Sequence, residues 1–180
     1  MKLEAGAPAP DFSIKDTQEE IRRLEDYRGS RLLLSFHRYA ACPMCNLHIH
    51  ELTQAWPELS QAGLQILAVF MSGPERLADQ YDEREVPFPI AADPDRSMYD
   101  AYGIEYSVAG MLKSFVHPRA MKAFFSGFMP GKIDATTLTL PADFLIGPDL
   151  SLHKVFYSSN ITQHMPLDWI RDFASQPVEG

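Results

Sequence analysis

The sequence predicts an α/β domain organised around one central sheet. Three observations carry that prediction. Apolar runs rich in Leu, Ile, Val and Phe alternate with amphipathic stretches, the first two runs flank one long helical pattern, and the last two are separated by a short turn. The chain has 180 residues, enough to bury a core without staples, and shows neither an internal repeat nor a linker, so a single domain over 1–180 is expected.

The first strand is "LLLSFH" (32 to 37), followed by a helix over 43 to 62. In that helix Leu52, Ala55, Trp56 and Leu59 fall at i, i+3, i+4 and i+7, which makes one apolar stripe. Pro57 is expected to kink it, because proline lacks the N–H that the helix ladder needs. "LQILAVF" (64 to 70) is the second strand, and the intervening helix supplies the crossover that a parallel pair requires. A second helix fits "PERLADQYDERE" (74 to 85), and "VPFPIAADPDRS" reads as a short strand and a turn around Asp93, Pro94 and Asp95. "ADFLIG" (142 to 147) and "LHKVFY" (152 to 157) form a hairpin across "GPDL", and "MPLDWIRDFAS" (165 to 175) closes the pattern as a helix.

Composition narrows the function. A formal charge of -8 disfavours nucleic acid and anionic lipid, both of which are bound by neutralising phosphate with Lys and Arg. No apolar run is long enough to span a membrane, and the N-terminal residues lack the apolar core of a secretory signal, so a cytoplasmic location is expected. The two cysteines, Cys42 and Cys45, are too few for a secreted disulfide framework. A close pair in a reducing compartment points instead to catalysis or metal binding.

Their setting favours catalysis. Proline suits the first position of a helix, so Pro43 makes Cys42 the N-cap and places Cys45 in the first turn. Both sulfurs then lie near unpaired backbone N–H groups and the positive end of the helix dipole, which favour thiolate. Arg38 and His37, just upstream, are expected to add positive charge. A buried, inert pair and a metal site remain alternatives. His48 and His50 extend the motif to Cys-x-x-Cys-x-x-His-x-His, but on one helix Cys45 and His48 share a face while His50 points away. His153 or His164 would have to serve as a remote ligand, and neither a metal nor any other cofactor is expected.

Several blocks in order, "GAPAPDF", "LEDYRGSRLLLSFHRYAACPMCNLHIHEL", "PFPIAADPDRSMYDAYGI" and "LPADFLIGPDLSL", resemble the peroxiredoxin-like branch of the alkyl hydroperoxide reductase and thiol-specific antioxidant (AhpC/TSA) family. The resemblance implies a thioredoxin-like fold: a central mixed β-sheet flanked by helices, with an N-terminal β extension. Family peroxidases carry a Pro-x-x-x-Thr-x-x-Cys signature and a distant arginine. On this chain Cys45 takes the place of the attacking cysteine, Cys42 that of the threonine and Arg38 that of the proline. A proline, Pro141, stands near the place of the arginine.

Those substitutions resemble the thioredoxins, in which a cis-proline faces the cysteine pair. By that likeness Leu140-Pro141 is expected to be cis, and Asp143 to accept a proton from the buried thiol or else to face solvent. Tyr39 and Ser35 are expected to line the turn beside the sulfurs. Thioredoxin-like chemistry makes Cys42, the more exposed sulfur, the attacking one and Cys45 the resolving one. Peroxiredoxin-like chemistry has Cys45 attack peroxide and Cys42 condense with its sulfenic acid. Both end in the same disulfide. The implied partners are a peroxide or a protein disulfide as substrate and a thioredoxin- or glutathione-type electron donor, with a homodimer common in the family. A second class of function is a non-enzymatic Cu(I) or zinc carrier, or an interaction module.

The stretch 107 to 133 stands apart, with Lys113, Arg119, Lys122 and Lys132 and no carboxylate. Met121, Phe124, Phe125 and Phe128 follow helical spacing there, so a helical insertion is expected. It serves either as core packing or as an apolar cover over the cysteines, a dimer face or a partner groove.

Overall fold

Arg31–Phe36, here β3, is buried along its whole length, as a strand with neighbours on both edges and layers on both faces must be. It is the middle strand of a five-stranded sheet in a computed structural model that describes residues 2–81, 85–106, 125, 127 and 138–176. The elements in chain order are β1 (Ser13–Lys15), β2 (Ile21–Arg23), β3, α1 (Pro43–Gln61), β4 (Leu64–Phe70), α2 (Pro74–Gln80), β5 (Ile90–Ala92), α3 (Ser97–Ala101), β6 (Ala142–Ile146), β7 (Leu152–Tyr157) and α4 (Leu167–Ser175). The sheet order is β5-β4-β3-β6-β7, and β1 and β2 form a separate antiparallel pair, the expected N-terminal extension.

β3, β4 and β5 run parallel, while β6 and β7 are antiparallel to their neighbours, so the sheet is mixed as expected. Alternation along β3 divides the core. Leu33 joins the residues of α1 and α4 on one face, whereas Leu32, Leu34 and Phe36 join α3 and the N-terminal segment on the other. The β3–β6 register pairs Ser35 with Asp143 and Leu34 with Phe144, so each pair shares a face.

Two expectations need correction. The Leu140-Pro141 bond is trans, since no cis peptide occurs among the described residues. Thr139 is bridged to Tyr106 and the Leu140 N–H donates to the Glu105 carbonyl at 3.3 Å, so the chain enters β6 without the reversal a cis bond serves. Trans is also the ordinary preference, by about 0.5–1 kcal/mol for an X–Pro bond. The second helix stops at Gln80, not 85, because Tyr81 is extended and its ring turns inward. The insertion near 107 to 133 lies outside the described residues except for Phe125 and Gly127, and Phe125 is 78% exposed, which removes it from core packing. α1 runs through Pro57 as one continuous helix.

Candidate active site

The turn between β3 and α1 is folded inward. Tyr39, Ala40, Cys42 and Cys45 are all buried, and both cysteines are free thiols with 0% exposure. Cys42 is thus not the more exposed of the two. The Cys42 N–H donates to the Tyr39 carbonyl at 3.0 Å, and the Cys42 carbonyl accepts the Asn46 N–H at 3.0 Å, which opens the helix ladder. Cys42 is the N-cap with extended backbone, and Pro43 sits in the first turn, where a missing N–H costs nothing.

Arg38 serves both sulfurs. Its backbone N–H donates to Cys45 Sγ at 3.4 Å and its Nη1 to Cys42 Sγ at 3.6 Å, while the guanidinium lies 5.3 Å from the Tyr39 ring centre. Burial alone would raise the Cys42 pKa. The hydrogen bond from the Cys45 thiol, the Arg38 charge and the N–H groups of Cys45 and Met44 outweigh it and bring Cys42 down to about 6. Burial, with the bond to Cys42 and its charge, pushes Cys45 well above the usual thiol range. The pair therefore loses one proton easily and the second with difficulty, and the Arg38 guanidinium and the helix N–H groups favour the negative charge on Cys42.

Behind the turn lies a polar cluster assembled from four elements. Ser35 Oγ on β3 donates to Asp143 Oδ1 on β6 at 2.6 Å, the cross-strand pair set by the register. Asp143 also accepts the Met165 N–H at 2.6 Å and contacts His164 Nδ1 through both oxygens at 3.1 Å. The His164 ring stacks on His48 of α1 at 3.9 Å, and His37 approaches His164 at 4.7 Å while stacking on Phe70 at 4.6 Å. Asp143, His37, His48 and His164 are all buried, whereas His50 is exposed.

Burial would push the Asp143 pKa up, but the charge and hydrogen bond of His164, the charge of His48 and the bond from Ser35 hold it down at about 2. Burial and the charges of His164 and His48 push His37 well below the usual histidine range. His37 is consequently neutral near pH 7 and does not add the positive charge expected of it. Its tautomer follows from the network. Ser35 spends its one proton on Asp143, so at the 3.1 Å contact its oxygen accepts from His37 Nε2–H, which leaves Nδ1 as a bare lone pair.

His48, Asp143 and His164 offer ligand atoms within 4.8 Å of one another. The two imidazoles are stacked with only 11° between their planes, so their in-plane lone pairs run side by side instead of meeting at one point. A metal bound at about 2.0–2.1 Å from a nitrogen must lie on such a lone pair. As arranged, the cluster fits hydrogen bonding and proton sharing, not coordination.

The structure brings Cys42, Cys45, Arg38, Tyr39 and Pro43 together at one helix end. Pro141 is buried one residue before Ala142, which pairs with Phe36 at the end of β3, and its carbonyl accepts the Ser158 N–H at 3.1 Å. Ser35, expected to line the turn, bonds Asp143 and His37. No motif or spacing pointed to Ser72 or Tyr81. Ser72 Oγ accepts the Ala40 N–H at 2.8 Å, and Tyr81 Oη reaches the Ala40 carbonyl at 3.3 Å and the Asn46 side chain. Asn46 carried a weak signal, being a polar residue one position after Cys45 on a buried helix end.

A five-stranded mixed sheet with a Cys-x-x-Cys pair at the tip of the first crossover helix defines a thiol-redox protein of thioredoxin-like fold. The AhpC/TSA family model matches residues 5–155, and the chain belongs to that family. Peroxiredoxin Bcp of Escherichia coli K12 is 26% identical over 96% of this chain and 98% of its own length. A candidate peroxiredoxin of Haemophilus influenzae is 30% identical over 102 residues, which span 57% of this chain and 66% of that protein. Thiol-disulfide oxidoreductase ResA of Geobacillus thermodenitrificans is 32% identical over 55% of this chain and 57% of its own. Among solved structures, peroxidoxin BcpB of Mycobacterium tuberculosis superposes with a TM-score of 0.71 at 15% identity, over 96% of each chain. No helix among the described residues is long and apolar enough to cross a membrane.

Proposed function

We propose that the protein is an oxidoreductase that cycles Cys42 and Cys45 between dithiol and disulfide, with Cys42 as the attacking thiolate and Cys45 as the resolving thiol. The observation that carries this is the asymmetry of the pair: Arg38 and the helix N–H groups favour negative charge on Cys42, and burial keeps the proton on Cys45. In this scheme the Cys42 thiolate attacks a substrate disulfide and releases one substrate sulfur as thiolate, which takes up the Cys45 proton; the Cys45 thiolate then attacks the Cys42 sulfur of the mixed disulfide, and the second substrate sulfur leaves as thiolate. Arg38 holds the charge, Pro43 fixes the helix start, and Tyr39 walls the guanidinium. Asp143, too weak a base to collect a proton, anchors the histidines. Pro141 sets where β6 begins.

Peroxide reduction is the second reading. Family membership, the Bcp relative and the Arg38 N–H donated to Cys45 Sγ favour it. Either substrate leaves a disulfide to be reduced by a thioredoxin- or glutathione-type thiol donor, and a cytoplasmic compartment suits a dithiol resting state.

The test is to mix reduced wild type, Cys42→Ser and Cys45→Ser with hydrogen peroxide and, separately, with a small aromatic disulfide, following intact mass. A mixed disulfide that accumulates in Cys45→Ser and is missing from Cys42→Ser is the expected result. Fast sulfenic acid formation in Cys42→Ser, lost in Cys45→Ser, would assign the attack to Cys45 and make the protein a peroxidase.

A further inference from the structure

Ala40, two residues before Cys42, is held from both sides by residues remote in sequence. Ser72 Oγ, just after β4, accepts its N–H at 2.8 Å. Tyr81, just after α2, reaches its carbonyl at 3.3 Å and also bonds the side chain of Asn46, which follows Cys45 on α1. One hydroxyl has one proton, so it cannot donate to two oxygens at full strength. Turning the Asn46 amide over, which leaves its shape unchanged, lets Asn46 donate to Tyr81 and frees the Tyr81 proton for Ala40. The chain Asn46 to Tyr81 to Ala40 then ties the first turn of α1 to the loop that delivers Cys42.

We infer that Tyr81 is a positioning residue for the redox pair: its hydroxyl locks the Ala40 to Asn46 turn in the one geometry in which Arg38 and the helix N–H groups face the Cys42 sulfur. This role rests on the proposed attack by Cys42. Tyr81 is buried, its ring packs on Phe70 at 5.2 Å, and Phe70 in turn stacks on His37. Besides burial, negative charge on the cysteine pair raises the Tyr81 pKa. The phenol stays protonated as a fixed donor. The inward turn of Tyr81 also accounts for the early end of α2, since continuing the helix would carry the ring away from Ala40.

The test is Tyr81→Phe, which removes the hydroxyl and keeps the ring. In the reduced protein, thiolate absorbance against pH is expected to place the Cys42 midpoint about one pH unit above wild type, the worth of roughly one net hydrogen bond. Exchange with a small disulfide near pH 6.5 should slow about three- to tenfold, and the two proteins should converge at a pH above both midpoints, where each is fully thiolate. If Tyr81→Phe fails to fold, Asn46→Ala cuts the other end of the chain and should shift the midpoint the same way. A lower thermal midpoint with unchanged titration and rate profile would overturn the positioning role. A wild type whose Cys42 titrates as an ordinary thiol would instead sink the functional proposal.

Discussion

On one face of the sheet Phe36 and Phe144 meet edge to face at 5.8 Å, with Tyr99 and Tyr102 closing on Phe36 at 5.0 and 5.2 Å. One residue back along the same two strands, Ser35 and Asp143 turn to the other face and carry the buried histidines. The strands are shared, but the faces are stabilised by opposite means. Aromatic burial needs only shape and area, at about 25 cal/mol per Å² of apolar surface. The polar face needs every donor matched, because an unsatisfied buried group costs about 1–3 kcal/mol. Tyr99 joins the two by donating from the aromatic side to the His37 carbonyl at 2.6 Å.

The largest effect expected from breaking this comparison is on the aromatic face. Phe144→Ala should lose about 3–5 kcal/mol in urea unfolding by opening a cavity, while the folded fraction still alkylates at Cys42 at the wild-type rate. Altered thiol reactivity in folded protein would show that the faces are not independent. Asp143→Asn keeps the shape but removes the charge that Ser35, Met165 and His164 share. A loss of about 1.5–3 kcal/mol is expected, and one under about 0.5 kcal/mol would mean the cluster does not help hold β6 to α4.

The pH dependence sharpens the same contrast. His37 has a folded pKa well below the 6.5 of the unfolded chain, so below pH 6.5 the unfolded state binds the extra proton. Stability should fall as pH drops through 6.5, by up to about 1.4 kcal/mol per pH unit, and His37→Asn should flatten that decline. Asp143 adds its own loss only as pH falls from about 4 towards its folded value of about 2. A wild-type profile level between pH 6.5 and 4.5 would show that His37 takes up a proton without unfolding. The smallest effect is at the surface, where Arg171→Ala breaks exposed contacts to Glu58 and Asp168 and should change stability by no more than about 0.5 kcal/mol.

Local pattern made much of the fold legible. The strands at 64 to 70 and 152 to 157 and the start of α1 at Pro43 follow from periodicity and from proline's place at a helix start. The end of α2 was not legible, because a long-range contact from Tyr81 decides it. The Leu140-Pro141 bond was misjudged because the expectation came from family likeness, whereas the incoming chain is already extended. At the site, spacing identified Cys42, Cys45 and the buried side of His48. The meeting of His37, His48, Asp143 and His164 depends on β3–β6 register and on the path from β7 to α4, neither of which a single sequence displays. Burial then removed the charge expected of His37.

The central claim is that the pair's negative charge resides on Cys42. Its most direct test is alkylation of the reduced protein with limiting iodoacetamide across pH 4 to 10, with peptide mapping to separate the two cysteines. Label is expected to enter Cys42 first, with a rate that rises around a midpoint near 6, while Cys45 stays unmodified until far higher pH. Label entering Cys45 first, or a Cys42 midpoint at the ordinary value of about 8.5, would contradict it.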